Sequence, residues 1–577
     1  MLGNLLLNTT KQYLLPLSLI FSLGLYMAPS HASKNVTIQA AQGWSEAQRN
    51  FYRHASQGTV VNNLQWFMAL EKAGSQTLIS DSVNLASLGF IKSSKSLLNP
   101  LGLPIGFAAG PANSSIKGTV GFTCAACHTG QLSYKGDKIV IDGTQSIIDS
   151  TTFGSQIQLS MIETYHDPDK WNRFARKVLK NKYNDSSEKS LRLAFGNSVK
   201  NAEWELDQSE TLHLTPVPGG YGRNDAIDAI GNKVFASDLQ DPANFHIADA
   251  NVSFPFIWDA WQFDWVQYDG SIVQPMVRNA GEALGVGAIT NYLYETPNES
   301  KWASSINVTN IYKIETQLQA LKPPLWPAKM FGPYNLELAQ QGRELFMENC
   351  ASCHAPRPIL APGNKYAKLA VFKIPLDTIG TDPKRSTNAT TARFDATKLV
   401  GFSAPNVTLS EGLTLTVGAA KEWAYTKINL PLKQRGKWNG FDRPNIVKFE
   451  SFYKARTLDG IWSSPPYLHN GSVRNIYELL SPVDERSTQF WVGLSDYDPV
   501  NLGVGPKLND HDIGFIMDTT LAGNSNSGHE NSNTSAPGVI GRLLSPNERI
   551  ALIEYMKALP EMPPTAQTPV ELNYWRK

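Results

Sequence analysis

Two short motifs contain all four cysteines of the chain, and both have the pattern Cys-x-x-Cys-His. Two thiols at this spacing can bond covalently to the two vinyl groups of one porphyrin, and the histidine that follows can then bind the iron. The motifs therefore predict two covalently attached c-type haems, with a proximal histidine at each. The residues concerned are Cys124, Cys127 and His128 in the first motif, and Cys350, Cys353 and His354 in the second.

Other uses of paired cysteines fit these motifs less well. A Cys-x-x-Cys pair alone could be a redox-active dithiol or half of a zinc site. A zinc site would need further ligands at similar spacing, and none follows nearby in the sequence. Two disulfides would not require a histidine after each second cysteine. Haem attachment is the interpretation that uses all the residues of both motifs.

The length and composition of the chain predict a multidomain globular protein. Its 577 residues exceed one ordinary domain, and an apolar content of 42% is ample for a core. The formal net charge is +1. We therefore expect no nucleic-acid partner, since there is no excess of basic residues to attract a polyanion.

The first 32 residues have the pattern of a secretory signal peptide. A short polar start with Lys11 precedes an apolar stretch over residues 14–28, and Ala32 offers a cleavage site. The apolar stretch is short for a membrane span of about 20 residues, and no later segment is longer. We therefore expect a periplasmic or secreted protein with no membrane span after cleavage, which agrees with haem attachment outside the cytoplasm.

The elements that must position the two motifs are predicted to be mainly helical. Apolar residues at helical spacing lead into Cys350, and a capping box at Ser545 begins a C-terminal helix. A proline-rich stretch over residues 322–327 separates the motifs. The predicted fold is mainly α, with two cytochrome c-like haem domains, long irregular loops and few short strands. The domains would be an N-terminal haem domain over residues 33–330 and a C-terminal cytochrome c domain over residues 331–577.

Longer phrases around the motifs resemble those of a known family. They are GFT and TGQ on either side of the first motif; PFIW, VQYDG and RNAGE between residues 255 and 282; YKAR, LDGIW and PYLHNGSV between residues 453 and 473; and NSNSGHE at residues 524–530. Together they resemble the rubber oxygenase (RoxA-like) di-haem c-type cytochromes, which are related to bacterial di-haem cytochrome c peroxidases. The resemblance runs from about residue 103 to residue 559.

The resemblance implies that the two haems are unequal. The His128 haem would keep an open face where O2 binds and would be the active one, and the His354 haem would carry a second axial ligand and relay electrons. His529, in the NSNSGHE phrase, matches the family's ligand and is the first candidate. His469 and Met517 are the alternatives, the last because a methionine ligand raises the haem potential.

Further candidates come from the region between the motifs. Trp258 lies in an aromatic stretch where the family places its inter-haem residues, and we expect it to assist electron transfer. Glu282 lies near where di-haem peroxidases carry their catalytic acid, so it is the candidate acid–base residue. Arg278 and Arg456 could pair with haem propionates or form structural salt bridges. The phenylalanine that the rubber oxygenases place beside bound oxygen has no clear match.

The function expected is that of an exported haem-dependent oxidoreductase that activates O2 or peroxide. By resemblance, the reaction would be oxidative cleavage of a C=C bond in a polyisoprene-like polymer or a lipid. The alternatives are a di-haem cytochrome c peroxidase that uses H2O2 and a small electron-donor protein, and a non-catalytic electron-transfer cytochrome. The size of the chain argues against the last, because electron transfer alone needs far less protein.

Overall fold

The computed structural model describes residues 36–360, 368–402, 404–505 and 513–571. The predicted signal peptide, residues 1–32, lies outside these ranges. Among the described residues, no helix combines the length and hydropathy that a bilayer span requires.

Helices supply most of the regular structure in the described ranges. The N-terminal ones are α1 (Glu46–His54), α2 (Leu64–Phe67), α3 (Ser82–Ser87), α4 (Cys124–Cys127), α5 (Ser150–His166), α6 (Pro168–Leu179), α7 (Asp185–Thr211), α8 (Ala226–Gly231), α9 (Pro275–Gly285) and α10 (Val308–Leu318). They are followed by α11 (Ala328–Phe331), α12 (Leu336–Asn349), α13 (Ala351–His354), α14 (Leu376–Ile379), α15 (Lys384–Thr391), α16 (Leu409–Lys427), α17 (Leu432–Trp438), α18 (Ile476–Leu479) and α19 (Pro546–Ala558).

Twenty short strands form nine small sheets within the same ranges. One three-stranded sheet has β1 (Thr37–Gln39) parallel to β6 (Asp137–Asp142), which also pairs antiparallel with β5 (Thr129–Tyr134). The other is antiparallel, with β4 (Thr119–Phe122) between β2 (Asn62–Asn63) and β3 (Phe107–Ala109).

The remaining strands pair two by two. These pairs are β7 (Arg223–Asn224) with β8 (Val252–Ser253), β10 (Phe372–Pro375) with β13 (Phe452–Ala455), β11 (Arg393–Phe394) with β12 (Val407–Thr408), β14 (Gln489–Gly493) with β17 (Gly514–Asp518), β15 (Tyr497–Asp498) with β16 (Gly503–Val504), β18 (Glu530–Asn531) with β19 (Val539–Gly541), and β9 (Ile359–Leu360) with β20 (Val570–Glu571).

The predicted fold class, mainly α with two cytochrome c-like domains and few short strands, is wrong. About 40% of the described residues are helical and 16% are in strands or bridges, so the fold is mixed. Each strand has only two to six residues, and most have fewer than the four needed for an alternating pattern to be recognised in the sequence. The described residues give no evidence of a separate cytochrome domain around each motif. The domain boundary near residue 330 stays a prediction.

The hydrophobic cores join distant parts of the chain. The largest cluster packs Met276 and Ala280 of α9 against Val417 of α16. Another joins Ile139 of β6 to Phe346 of α12 and Tyr555 of α19. These clusters connect the structure around the first motif to the structure around the second.

The two helices predicted for the C-terminal half are confirmed. The α12 helix ends directly before Cys350, and α19 begins with a capping box in which Ser545 and Glu548 bond each other's backbone N–H groups. These helices pack closely at Gly342, where an added Cβ atom would lie 1.9 Å from the carbonyl oxygen of Ala551. The crossing therefore requires glycine, and it fixes the helix that presents the second motif.

Candidate functional site

Both Cys-x-x-Cys-His motifs open onto one cavity of about 710 Å³. Most of its wall is apolar, with contributions from α8, α9, α10 and α16, and a few charged side chains interrupt that wall. The residues of the two motifs that line it are Cys124, Cys127, His128, Cys350, Cys353 and His354. The fold thus brings together two motifs that the sequence separates by more than two hundred residues.

The first motif lies between two strands. Thr123 follows β4 and caps α4 by accepting a hydrogen bond from Ala125 N–H. The ring of His128 then lies with Nδ1 2.7 Å from the carbonyl oxygen of Pro255. A carbonyl can only accept, so Nδ1 carries the proton and Nε2 is left with a lone pair. Burial lowers the pKa of His128 to about 4, which keeps the imidazole in the neutral form that binds metals.

The second motif begins at the C-terminal end of α12, and a backbone carbonyl orients its histidine as in the first motif. Cys350 ends α12, and His354 lies with Nδ1 2.7 Å from the carbonyl oxygen of Arg456. Burial lowers the pKa of His354 as well. Each histidine is therefore neutral, oriented by a backbone carbonyl and left with Nε2 available, as is usual for metal-binding imidazoles.

All four cysteines are free thiols. Burial raises the pKa of Cys124, Cys127 and Cys350 to about 12 in each case. These three thiols are therefore protonated, and none of the four cysteines is committed to a disulfide. This is the state from which thioether bonds to a porphyrin can form.

A second histidine faces the second motif. The ring centre of His529 lies 6.1 Å from that of His354, and the ring planes are inclined by 65°. Burial, and next the nearby His354, lowers the pKa of His529 to about 3, so this imidazole is neutral too. Its Nδ1 is buried and has no hydrogen-bond partner among the described residues.

The loop that carries His529 is held in an unusual backbone conformation. Gly528 and His529 both have positive φ angles, of 68° and 47°, in a region that non-glycine residues rarely occupy. The buried guanidinium of Arg486 donates to the carbonyl oxygens of Gly528 at 2.9 Å and His529 at 3.0 Å. Sequence reasoning missed Arg486, because nothing in its local sequence indicates that it supports a distant loop.

The alternative sixth ligands occupy different places. His469 lines the cavity, but its ring packs against Tyr453, with ring centres 4.2 Å apart, and not against His354. Met517 is fully buried in a separate cluster with Tyr221 and Phe490, and it does not line the cavity. Of the three candidates, only His529 faces the second motif.

The first motif has no such facing histidine among the residues that the structure describes. The aromatic ring in contact with His128 is that of Phe254, with ring centres 6.5 Å apart. This motif has an acidic neighbour. The charge of Glu282 acts on the thiols of both Cys124 and Cys127, which line the cavity. The two ends of the cavity therefore differ.

Glu282 belongs to the first motif's end of the cavity. It lies on α9 with protein around it, and its side chain is accessible from the cavity, which it lines. Its Oε1 accepts a hydrogen bond of 3.1 Å from Gln267. Burial raises the pKa of Glu282, and the Arg278 guanidinium opposes that shift. Glu282 is thus a carboxyl group that remains protonated to higher pH than an ordinary glutamate.

Arg278 and Arg456 both line the cavity, and both already have carboxylate partners. Arg278 pairs with the buried Glu315, and Arg456 pairs with Asp259. Arg456 also donates to the carbonyl oxygen of Phe256 at 2.8 Å. Structural salt bridges, one of the two roles considered for these arginines, are therefore present.

Trp258 is buried behind the cavity wall. Its ring stacks on that of Phe256 with centres 4.6 Å apart, and Phe256 lines the cavity. Its indole N–H donates to the carbonyl oxygen of Asp459 at 3.0 Å. Trp258 does not itself line the cavity, and the Phe256 stack connects it to the cavity wall.

The residues present fit the c-type haems that the motifs imply. Two imidazoles that bind one metal ion from opposite sides, through bonds of about 2 Å, have ring centres about 6 Å apart, close to the 6.1 Å between His354 and His529. His128 and His354 each present a neutral imidazole beside two free thiols. Covalently bound haem requires thiols for its attachment, a neutral imidazole for its iron and an apolar cavity for its porphyrin, and the residues here supply all three.

Comparisons with known proteins agree with this chemistry. Residues 452–492 match the family model described as RoxA-like, cytochrome c-like. The chain is 36% identical over 579 aligned positions to the uncharacterized protein y4iJ of Sinorhizobium fredii, covering 92% of this chain and 94% of that protein. It is 27% identical to the uncharacterized protein y4iM of the same organism, covering 59% of this chain and 70% of that protein. The chain therefore belongs to the same family as y4iJ, and its RoxA-like, cytochrome c-like segment is consistent with a haem-dependent oxidoreductase.

Proposed function

We propose that the protein is an exported di-haem oxidoreductase in which the two haems have different tasks. One haem would be attached to Cys124 and Cys127, with His128 as its axial ligand. The other would be attached to Cys350 and Cys353, between His354 and His529. The first would be the reaction centre for O2, and the second would relay electrons.

The observation that carries this proposal is the unequal surroundings of the two motif histidines. His529 faces His354 at a ring distance of 6.1 Å, whereas His128 has Phe254 as its ring neighbour. A haem whose axial positions are both taken by protein ligands can only transfer electrons, while one with an open position can also bind a small molecule. The division of labour follows from that difference.

Bound haem would supply the redox chemistry, and this chain's residues would control access and orientation. The wall near the first motif is apolar, with Ile230, Val277 and Val417 lining the cavity. Such a wall excludes water and limits the supply of protons to a bound small molecule. These properties favour oxygen transfer to an apolar substrate, such as an unsaturated polymer or lipid.

Electron transfer between the two centres would pass through the protein between them. The stacked rings of Phe256 and Trp258 lie at the cavity wall, and Arg456 covers the Phe256 ring at 3.7 Å. Arg456 in turn orients His354 through its carbonyl oxygen. We propose that Trp258 assists electron transfer through this stack.

A peroxidase function is the second candidate, and Glu282 is the observation that favours it. A carboxyl group with a raised pKa at the first motif's end of the cavity could move protons during O–O cleavage, as general acid–base catalysis requires. H2O2 would then be the substrate, and a small protein would donate electrons. Export to the periplasm or the medium is part of both proposals.

Parallel assays of the purified protein separate these functions. Oxygen uptake should rise when polyisoprene latex is added, and the products should carry carbonyl groups. If no latex or unsaturated lipid stimulates oxygen uptake, while H2O2 oxidises a reduced donor cytochrome, the protein is a peroxidase. Activity in neither assay would contradict both catalytic proposals.

A further inference from the structure

The charged side chains of the cavity wall are unevenly balanced. Four cationic residues line the cavity, and the only acidic residue among its described lining is Glu282. Three of the cations have a carboxylate partner behind the wall. These pairs are Arg278 with Glu315, Arg385 with Asp269, and Arg456 with Asp259.

The fourth cation, Lys454, has no such partner. It lies in β13, where its backbone N–H donates to the carbonyl oxygen of Tyr268 at 2.8 Å. Its ammonium group makes no ion pair with any residue in the described ranges, and it lies 5.8 Å from the centre of the Phe263 ring. A cation removed from water without a counterion is costly, so burial lowers the pKa of Lys454 to about 7, and an anion in the cavity would stabilise its charged form.

Arg385 adds a second donor at the same place. This residue is only 3% exposed, and it uses Nη1 for its ion pair with Asp269. Its Nε is buried and has no hydrogen-bond partner among the described residues. Asp269 directly follows Tyr268, whose carbonyl oxygen accepts the backbone N–H of Lys454, so Lys454, Asp269 and Arg385 lie in one neighbourhood of the cavity wall.

We propose that Lys454 and the Nε–H group of Arg385 form a carboxylate-binding site in the cavity wall. A carboxylate would neutralise the lysine and accept a hydrogen bond from each residue, as charge-assisted hydrogen bonds do. Two sources offer this chemistry: a propionate group of an attached haem, and a free carboxylate such as a fatty acid. The first source rests on the proposed attachment of haem; the second does not.

The test compares Lys454→Met with Lys448→Met, a control at an exposed lysine that does not line the cavity. Intact mass and a haem stain after denaturation establish independently whether both haems are attached. Resonance Raman spectra then report on the haem propionates. The proposal predicts that the propionate bending band of one haem shifts in Lys454→Met and stays unchanged in Lys448→Met.

A titration with sodium octanoate tests whether the site binds a free carboxylate. If the Raman bands of Lys454→Met are unchanged but octanoate alters the haem absorption of the wild-type protein and not of this variant, the site takes a free carboxylate. If both haems are attached and neither measurement responds, the proposal is overturned.

A second variant covers the case in which Lys454→Met does not fold. Lys454→Arg keeps the charge but presents a planar group with paired donors. A carboxylate bound at this site must then change its hydrogen bonding, so the propionate band or the octanoate response must differ from that of the wild-type protein. Identical spectra and an identical octanoate response in Lys454→Arg would contradict the proposal.

Discussion

The two Cys-x-x-Cys-His motifs are alike in their own residues and differ in what the rest of the fold places opposite them. In both, a backbone carbonyl 2.7 Å from Nδ1 orients a buried, neutral histidine. Opposite His354 lies another histidine ring, whereas the first motif's end of the cavity has apolar side chains and Glu282. The attachment motif therefore determines where a haem binds, and residues distant in sequence determine its task.

The largest expected effect comes from removing one attachment site at a time. We expect the double variant Cys124→Ala/Cys127→Ala to lose oxygen uptake and peroxide turnover completely, because the proposed reaction centre loses its covalent anchor. Its matched control, Cys350→Ala/Cys353→Ala, should lose electron relay but still bind CO when reduced. Intact mass should show one haem in each variant. Full catalytic activity in the first variant would contradict the assignment of tasks.

Replacing His529 should abolish the difference between the two sites. In His529→Ala we expect the His354 haem to change from low-spin to high-spin, because it loses its second axial ligand. Electron paramagnetic resonance of the oxidised protein measures this change. The control is His469→Ala, which removes a cavity histidine that packs on Tyr453. The proposed ligand assignment fails if His469→Ala, and not His529→Ala, produces the new high-spin signal.

Glu282 distinguishes the two catalytic functions. If the protein is a peroxidase, Glu282→Gln should lower peroxide turnover by about 10²–10⁴-fold, the usual contribution of a general acid–base residue. Burial raises the pKa of Glu282, so the wild-type rate should fall as pH rises through that raised pKa and the acid loses its proton. Steady-state rates across pH measure both effects.

The matched control for this variant is Glu337→Gln, an exposed glutamate in the first turn of α12. It should leave both the rate and its pH dependence unchanged. Undiminished peroxide turnover in Glu282→Gln would exclude Glu282 as the acid.

Trp258 should give the smallest effect. Because Phe256, not Trp258, forms the cavity wall, Trp258→Phe should slow electron transfer between the haems only modestly. Losing the hydrogen bond to Asp459 should lower the free energy of unfolding by about 1 kcal/mol. Flash photolysis of the CO complex and urea unfolding measure the two quantities. An abolished transfer would mean that the indole itself is essential.

Residues close to the motifs were predictable from the sequence. The pentapeptides identify six site residues, and the helix before Cys350 and the capping box at Ser545 follow from local patterns that the structure confirms. Local hydrogen bonds and apolar periodicity produce these features, so a short stretch of sequence contains the information.

The remaining structure depends on contacts between distant segments. The β10–β13 pair joins residues about eighty positions apart. Strands of two to six residues leave little periodic signal, which is why the predicted fold class was wrong. The shared cavity, the support of His529 by Arg486 and the ion pairs of Arg278 and Arg456 arise in the same way. Composition and spacing do not reveal which distant side chains meet.

The most direct test of unequal sites is a CO titration of the fully reduced protein, with the haem content determined in the same sample. We expect two haems per chain and one CO bound per chain, because the proposed His128 haem would have an open axial position and the other would lie between His354 and His529. Uptake of no CO, or of two CO per chain, would contradict it.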